Sequence, residues 1–240
     1  MSKKKARWRK LDNAAKLYSA ASNKKDTRVF RFYCELKEKV DSDVLQEALN
    51  QTIETFPTFL MVLRKGFFWH YLEPCNLRPI VKEEYKEPCS RLYIRDKKTL
   101  LFEVTYYKKR INFEVFHVLT DGTGATEFLK ELVKNYLYFA HKEEGLEQVA
   151  LLPEDMTVQD QEDDSFLKYY SKDQKRPKKR KLNAFQIRRK KKDGNHLHVH
   201  ESVVSVQAVL KRSRELGVSM TIFLTALFMM AINEEMSKMQ

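Results

Sequence analysis

His117, Asp121 and Gly122 place an imidazole, a carboxylate and a residue without a side chain in one short string, HVLTDG. Imidazole is the side chain that exchanges protons most readily near neutral pH. A half-buried histidine tied to a backbone carbonyl is the plainer reading, with Asp121 serving only as a helix cap. His196, His198 and His200 form the other histidine pattern, HLHVHE, whose alternation puts three rings on one face of a strand. No carboxylate or cysteine stands at a matching spacing, so an exposed strand edge is expected there and no metal. Cys34, Cys75 and Cys89 are scattered without CxxC spacing. That pattern points away from zinc and disulfides and towards a reducing, cytoplasmic location.

The elements that must position His117 run from Thr99 to Ala140. Leu100, Phe102, Val104 and Tyr106 alternate with Thr99, Glu103 and Thr105, which predicts a strand. After the basic turn Lys108-Lys109-Arg110, the apolar side resumes with Ile111, Phe113 and Val115, and His117 is next in that period of two. Ala125, Phe128, Leu129, Leu132, Val133, Tyr136 and Leu137 then recur at helical spacing, with Asp121 or Thr123 as N-cap. One histidine thus leaves a strand pointing inward, just before a helix.

Upstream, Phe30, Phe32, Cys34 and Leu36 predict a strand's buried face, with Arg31 and Glu35 outward. Asp41-Ser42-Asp43 caps a helix carrying Val44, Leu45, Ala48, Leu49, Thr52, Ile53 and Phe56, which Pro57 ends. The apolar runs 59–63 and 67–72 flank Arg64-Lys65-Gly66 and read as a hairpin. Residues 74–96 read as a connection with a little strand. Downstream, Ser205 and Gly217 bound an amphipathic helix. The run Met220 to Ile232 is apolar nearly all round and too short to span a bilayer comfortably. No secretory signal or transmembrane segment is expected.

The net charge of +12 invites a nucleic-acid reading. Between Ser171 and Lys192, however, twelve Lys or Arg stand against one acid, Asp173, and 3–10 adds a second basic cluster. Those two segments more than account for the net charge, so the remainder is mildly acidic. The run 178–181, KKRK, fits a polyanion patch or a solvated loop; a lone aromatic, Phe185, does not amount to aromatics interleaved with the basic run, and no nucleic-acid partner is expected.

The string HVLTDG, after a hairpin and before an amphipathic helix, resembles the HxxxDG motif of the CoA-dependent acyltransferase superfamily. That superfamily includes chloramphenicol acetyltransferase, alcohol O-acetyltransferases and peptide-synthetase condensation domains. The stretch LKEKVDSDVLQEALNQTIETFPTFLMVLRKGFFWHYLEP resembles the opening of alcohol acetyltransferase-like members. The resemblance implies an α/β fold (an α+β two-layer sandwich), a chloramphenicol-acetyltransferase-like first lobe with only the start of the second. The expected divisions are a basic segment 1–26, a first lobe 27–150, a charged crossover 151–195 and the beginning of a second lobe 196–240.

By the same resemblance, His117 is the general base that moves an acyl group, acetyl first among candidates, from acyl-CoA to a small alcohol or amine. Acyl-CoA is then a co-substrate, with no permanently bound cofactor. Asp121 is structural and pairs with an arginine. Gly122 lets the backbone turn tightly beside the substrate tunnel, and Gly124 adds latitude outside the motif. Complete members are longer and carry a later motif resembling DFGWG, absent here. An apolar helix with nothing left to bury it implies a truncated or split chain, or a partner covering 220–232. A lobe that binds without catalysing, and a basic surface binder using 171–192, are the alternative readings.

Overall fold

The computed structural model describes residues 8–67, 69–95, 97–144 and 200–237. In order they form β1 (Arg9–Lys10), α1 (Asn13–Ala21), β2 (Val29–Glu35), α2 (Ser42–Thr55), a 3-10 turn (Pro57–Phe59), β3 (Met61–Lys65) and β4 (His70–Pro74). There follow β5 (Lys82–Glu83), β6 (Phe102–Tyr107), β7 (Arg110–Phe116), α3 (Gly122–Ala140), a 3-10 turn (Lys142–Glu144), α4 (Val206–Glu215) and α5 (Met220–Ser237). They fall into two units, 8–144 in the first and 200–237 in the second. Helices and sheets are mixed, as the α/β reading expects. The expected divisions at 150 and 195 lie outside the described residues.

In the first unit β7 is a central strand, antiparallel to β2 on one side and β6 on the other, with the short β5 parallel to β6 at the edge. The cross-strand register aligns Phe30, Val115 and Phe102 in one row and Phe32, Phe113 and Val104 in the next. Helices cover this face. Phe128 of α3 stacks on Phe113 at 4.6 Å and on Phe59 at 4.4 Å between ring centroids. Full burial of such a ring contributes about 1.5–3 kcal/mol.

Helix α2 begins where Asp41 Oδ1 accepts from the Asp43 and Val44 amides, and buries Leu45, Ala48, Leu49 and Thr52. It docks on α3 through Asn135 Nδ2, which donates to Thr52 Oγ1 at 3.1 Å, and through Tyr136, whose hydroxyl accepts from the Asp41 amide at 2.9 Å.

Three expectations are corrected here. Arg31, expected outward, is covered: its side chain is 12% exposed, donating to Glu84 at 2.6 Å and Glu114 at 2.8 Å. Glu114 also accepts from the Cys89 amide at 2.6 Å. The second face of the sheet is therefore roofed by the segment containing β5, which alternation alone reads as solvent-facing. Burial pulls the Arg31 pKa down, but hydrogen bonds and charge from Glu84 and Glu114 outweigh it, and the net shift is upward.

The hairpin turn also moves. Arg64 and Lys65 pair with Tyr71 and His70 inside the strands, so the tip lies past Lys65 rather than at 64–66. Phe67, expected in a strand, is exposed at that tip.

Residues 9–21 join the lobe instead of forming a separate basic segment. β1 pairs with β4, while Leu11 and Ala15 enter the core, each 4% exposed.

In the second unit Ser205 Oγ accepts from the Ala208 amide and caps α4. Gly217, at φ +66°, closes it with bonds from its own amide to the Arg214 carbonyl and from the Val218 amide to the Ser213 carbonyl. α5 exposes Ile222, Leu227, Phe228, Met229 and Met230. Among the described residues no single helix is long and apolar enough to cross a membrane.

Arg31 separates two carboxylates that would otherwise repel in a covered space. Arg31→Met is expected to lower the unfolding free energy by about 3 kcal/mol in urea titrations. Arg31→Met combined with Glu114→Leu should recover most of that loss, since an apolar pair replaces the buried charges.

Candidate functional site

β7 ends at Phe116, yet the pairing continues one residue further through the backbone. The Phe116 amide donates to the Leu101 carbonyl at 2.7 Å and the His117 amide to the Arg28 carbonyl at 3.0 Å. Arg28 holds this position in the left-handed region, at φ 54°, with its guanidinium on Asp26 at 2.8 Å. His117 is thus pinned at the point where β2 begins.

The imidazole is half-buried between two aromatic walls. It stacks on Tyr18 of α1 with centroids 4.1 Å apart and planes within 13°, and tilts against Phe30 of β2 at 4.6 Å. Among the described residues, no hydrogen-bond partner meets either ring nitrogen. The ring is therefore not tied to a backbone carbonyl. It is held by its faces, and its nitrogens are committed to no partner among the described residues. Helix α1 is rich in good helix formers but only nine residues long, and Asp12 Oδ1 caps it by accepting from the Ala15 amide.

Sequence reasoning located His117 and Phe30 but missed Tyr18. The signal was present: Ala15 and Tyr18 stand at helical spacing after the capping Asp12, with Leu11 just before it. A short segment beside a basic run concealed it.

Asp121 caps α3, its Oδ1 accepting from the Gly124 amide at 2.9 Å, and among the described residues it meets no arginine. The plainer reading of Asp121 matches this geometry. Gly122 is the first residue of α3. Its φ is not positive, and an added Cβ would meet only Phe32 Cζ, at 4.0 Å. Gly124 is the crowded position, where a Cβ would fall 2.2 Å from Thr120 Oγ1. The constraint lies inside the first turn of the helix, two residues past where the string places it. His196 and His198 lie outside the described residues and His200 is exposed. No cluster of metal-binding side chains occurs among the described residues.

The two glycines should separate in urea unfolding. Gly122→Ala is expected to be neutral or stabilising by up to about 1 kcal/mol, through helix propensity. Gly124→Ala should be the more destabilising, because Thr120 must turn away; equal effects would contradict the geometry. Asp121→Ala should cost about 1 kcal/mol through the lost cap.

No protein-family model and no curated protein matches this chain. Solved structures similar to it include a mutant of the starter condensation domain of rhizomide synthetase RzmA in complex with C8-CoA, at 13% identity and TM-score 0.48 over 60% of this chain and 38% of that one. The first condensation domain of the calcium-dependent antibiotic synthetase in complex with substrate analogue 2a is similar at 14% identity and TM-score 0.46, over 61% and 40%. Polyketide synthase associated protein 5 from Mycobacterium tuberculosis is similar at 16% identity and TM-score 0.43, over 60% and 36%. This chain spans about two fifths of the length of the structures it matches.

Proposed function

We propose that this chain carries the base-bearing lobe of an acyltransferase that uses acyl-CoA and acts on a hydroxyl or amine. The observation that supports the reading is the His117 imidazole at the end of β7, where the His117 backbone amide donates to the Arg28 carbonyl and the ring is clamped between Tyr18 and Phe30, with neither ring nitrogen hydrogen-bonded among the described residues. It stands in a string that resembles the HxxxDG motif, immediately before the capped helix α3.

In this reading the acceptor's oxygen or nitrogen attacks the thioester carbonyl while His117 removes its proton. The tetrahedral intermediate collapses, the carbon–sulfur bond breaks, and the imidazolium returns the proton as CoA leaves as the thiol. A positioned base contributes about 10²–10⁴ in rate, and holding donor and acceptor together contributes more. Tyr18 and Phe30 fix the plane of the ring, which spares the reaction a search over its rotamers. The helix cap of Asp121 holds the loop behind it. The exposed apolar surface of α5 would be covered by a further lobe or by a partner, which would complete the second wall of the site.

The test is release of CoA thiol from acetyl-CoA and octanoyl-CoA, across a panel of alcohols and amines, by the whole gene product that carries this lobe. His117→Ala should reduce turnover by about 10²–10⁴ with an unchanged melting temperature. Tyr18→Phe should keep the stack and the rate, whereas Tyr18→Ala should lower kcat more than it raises KM. Full turnover in His117→Ala contradicts the proposal. Absence of turnover in the unaltered gene product favours a lobe that binds without catalysing.

A further inference from the structure

The tip of the β3–β4 hairpin presents two large apolar side chains to solvent. Phe67 is 95% exposed and Trp69 61%. Neither exposure follows from a loose turn. The Gly66 amide donates to the Trp69 carbonyl at 2.7 Å and closes the tip. A Cβ on Gly66 would come 3.1 Å from that oxygen and 3.6 Å from the indole nitrogen, so the indole lies along a turn that is already formed. Burying these rings therefore requires little ordering of the backbone.

The sheet behind the tip is basic. β1, β3 and β4 carry Arg9, Lys10, Arg64 and Lys65, and Glu73 is their one carboxylate. Glu73 is occupied by Arg64 at 3.2 Å. Lys10 and Arg64 flank Tyr71 from opposite sides in the strand register, and Lys65 stands opposite His70. Among the described residues Lys10 and Lys65 have no ion-pair partner. The local field is positive: partial burial first, then the charges of Lys65 and Arg95, hold the His70 pKa below its ordinary value.

We propose that the β3–β4 hairpin docks on an anionic lipid surface, with Phe67 and Trp69 entering the headgroup boundary and Lys10 and Lys65 meeting the lipid phosphates and carboxylates. The indole of Trp69, apolar with one polar edge, favours that boundary, Phe67 adds apolar surface, and basic side chains around them add attraction to anionic lipid. A protein partner is the less suited occupant. A stable interface buries about 800 Å² on each side, which two rings on one turn do not provide, whereas a soft bilayer surface accepts a projecting tip. This surface shares no residue with the His117 site, and the inference does not depend on the acyl-transfer reading.

The experiment uses the full chain with Trp8→Phe, which leaves Trp69 as the sole tryptophan. It is mixed with vesicles of phosphatidylcholine alone, and of phosphatidylcholine with phosphatidylserine. The expected result is a blue shift of Trp69 emission, and its quenching by brominated acyl chains, on the serine-containing vesicles only. Phe67→Ser and Lys65→Glu should each weaken vesicle co-sedimentation about tenfold, with unchanged far-ultraviolet circular dichroism. Unshifted Trp69 emission overturns the proposal. So does sedimentation that Phe67→Ser leaves unchanged, since the 171–192 segment would then be carrying the binding by charge alone.

Discussion

The wedge of Phe128 between Phe59 and Phe113 is the contact on which the described geometry depends. It fixes α3 over the centre of β7, and those two elements are joined by the very loop that holds His117 and Asp121. With strand and helix locked face to face, that loop has few ways to run. The strand ends at Phe116 and the helix starts at Gly122, after a loop of five residues. Phe102 and Phe56 pack against the same ring from other sides, so the wedge is supported from the sheet and from the α2 end. The α2–α3 hydrogen bonds through Thr52, Asn135, Asp41 and Tyr136 add direction to what apolar packing alone leaves free to slide.

The site's second requirement comes from the opposite end of the sequence. Strand pleating brings His117 to the helix-covered side, but α1 decides how the ring sits. A histidine with one aromatic neighbour can turn about its side-chain bonds. Stacked on Tyr18 and blocked by Phe30, it is left with one orientation. A capping aspartate, two core residues and a tyrosine suffice for this, in a stretch whose composition otherwise suggests a solvated tail.

Much of the first unit was legible in the sequence because its signals are periodic. The alternation through Phe113 and Val115, the helical spacing of Ala125, Phe128 and Leu132, and the Asp41 and Pro57 boundaries each express one local physical preference. What was not legible arises where two faces compete. Asn112, Glu114 and Phe116 are as buried as the apolar row beside them, since the segment around β5 covers the far side of the sheet. A strand's own sequence cannot announce a roof made elsewhere in the chain. The hairpin misled for a related reason. An apolar run around Phe67 has the composition of a strand, yet Gly66 and the Trp69 carbonyl make it a turn. In the site, the histidine and its helix cap were readable from type and spacing. The aromatic clamp was not, because Tyr18 and His117 meet only through tertiary packing. The crowding at Gly124 was not legible either, since it depends on the orientation of Thr120.

The central claim is that a face-clamped imidazole at the end of β7 is what an acyl-CoA would meet. Its most direct measurement is the ring Cε1–H resonance of His117, assigned by its loss in His117→Gln and followed as octanoyl-CoA is added. The account predicts a resonance displaced upfield by the Tyr18 ring in the free protein, and a further saturable shift with CoA that the exposed His200 does not share. A His117 signal at its free-histidine position, unmoved by the thioester, would contradict it.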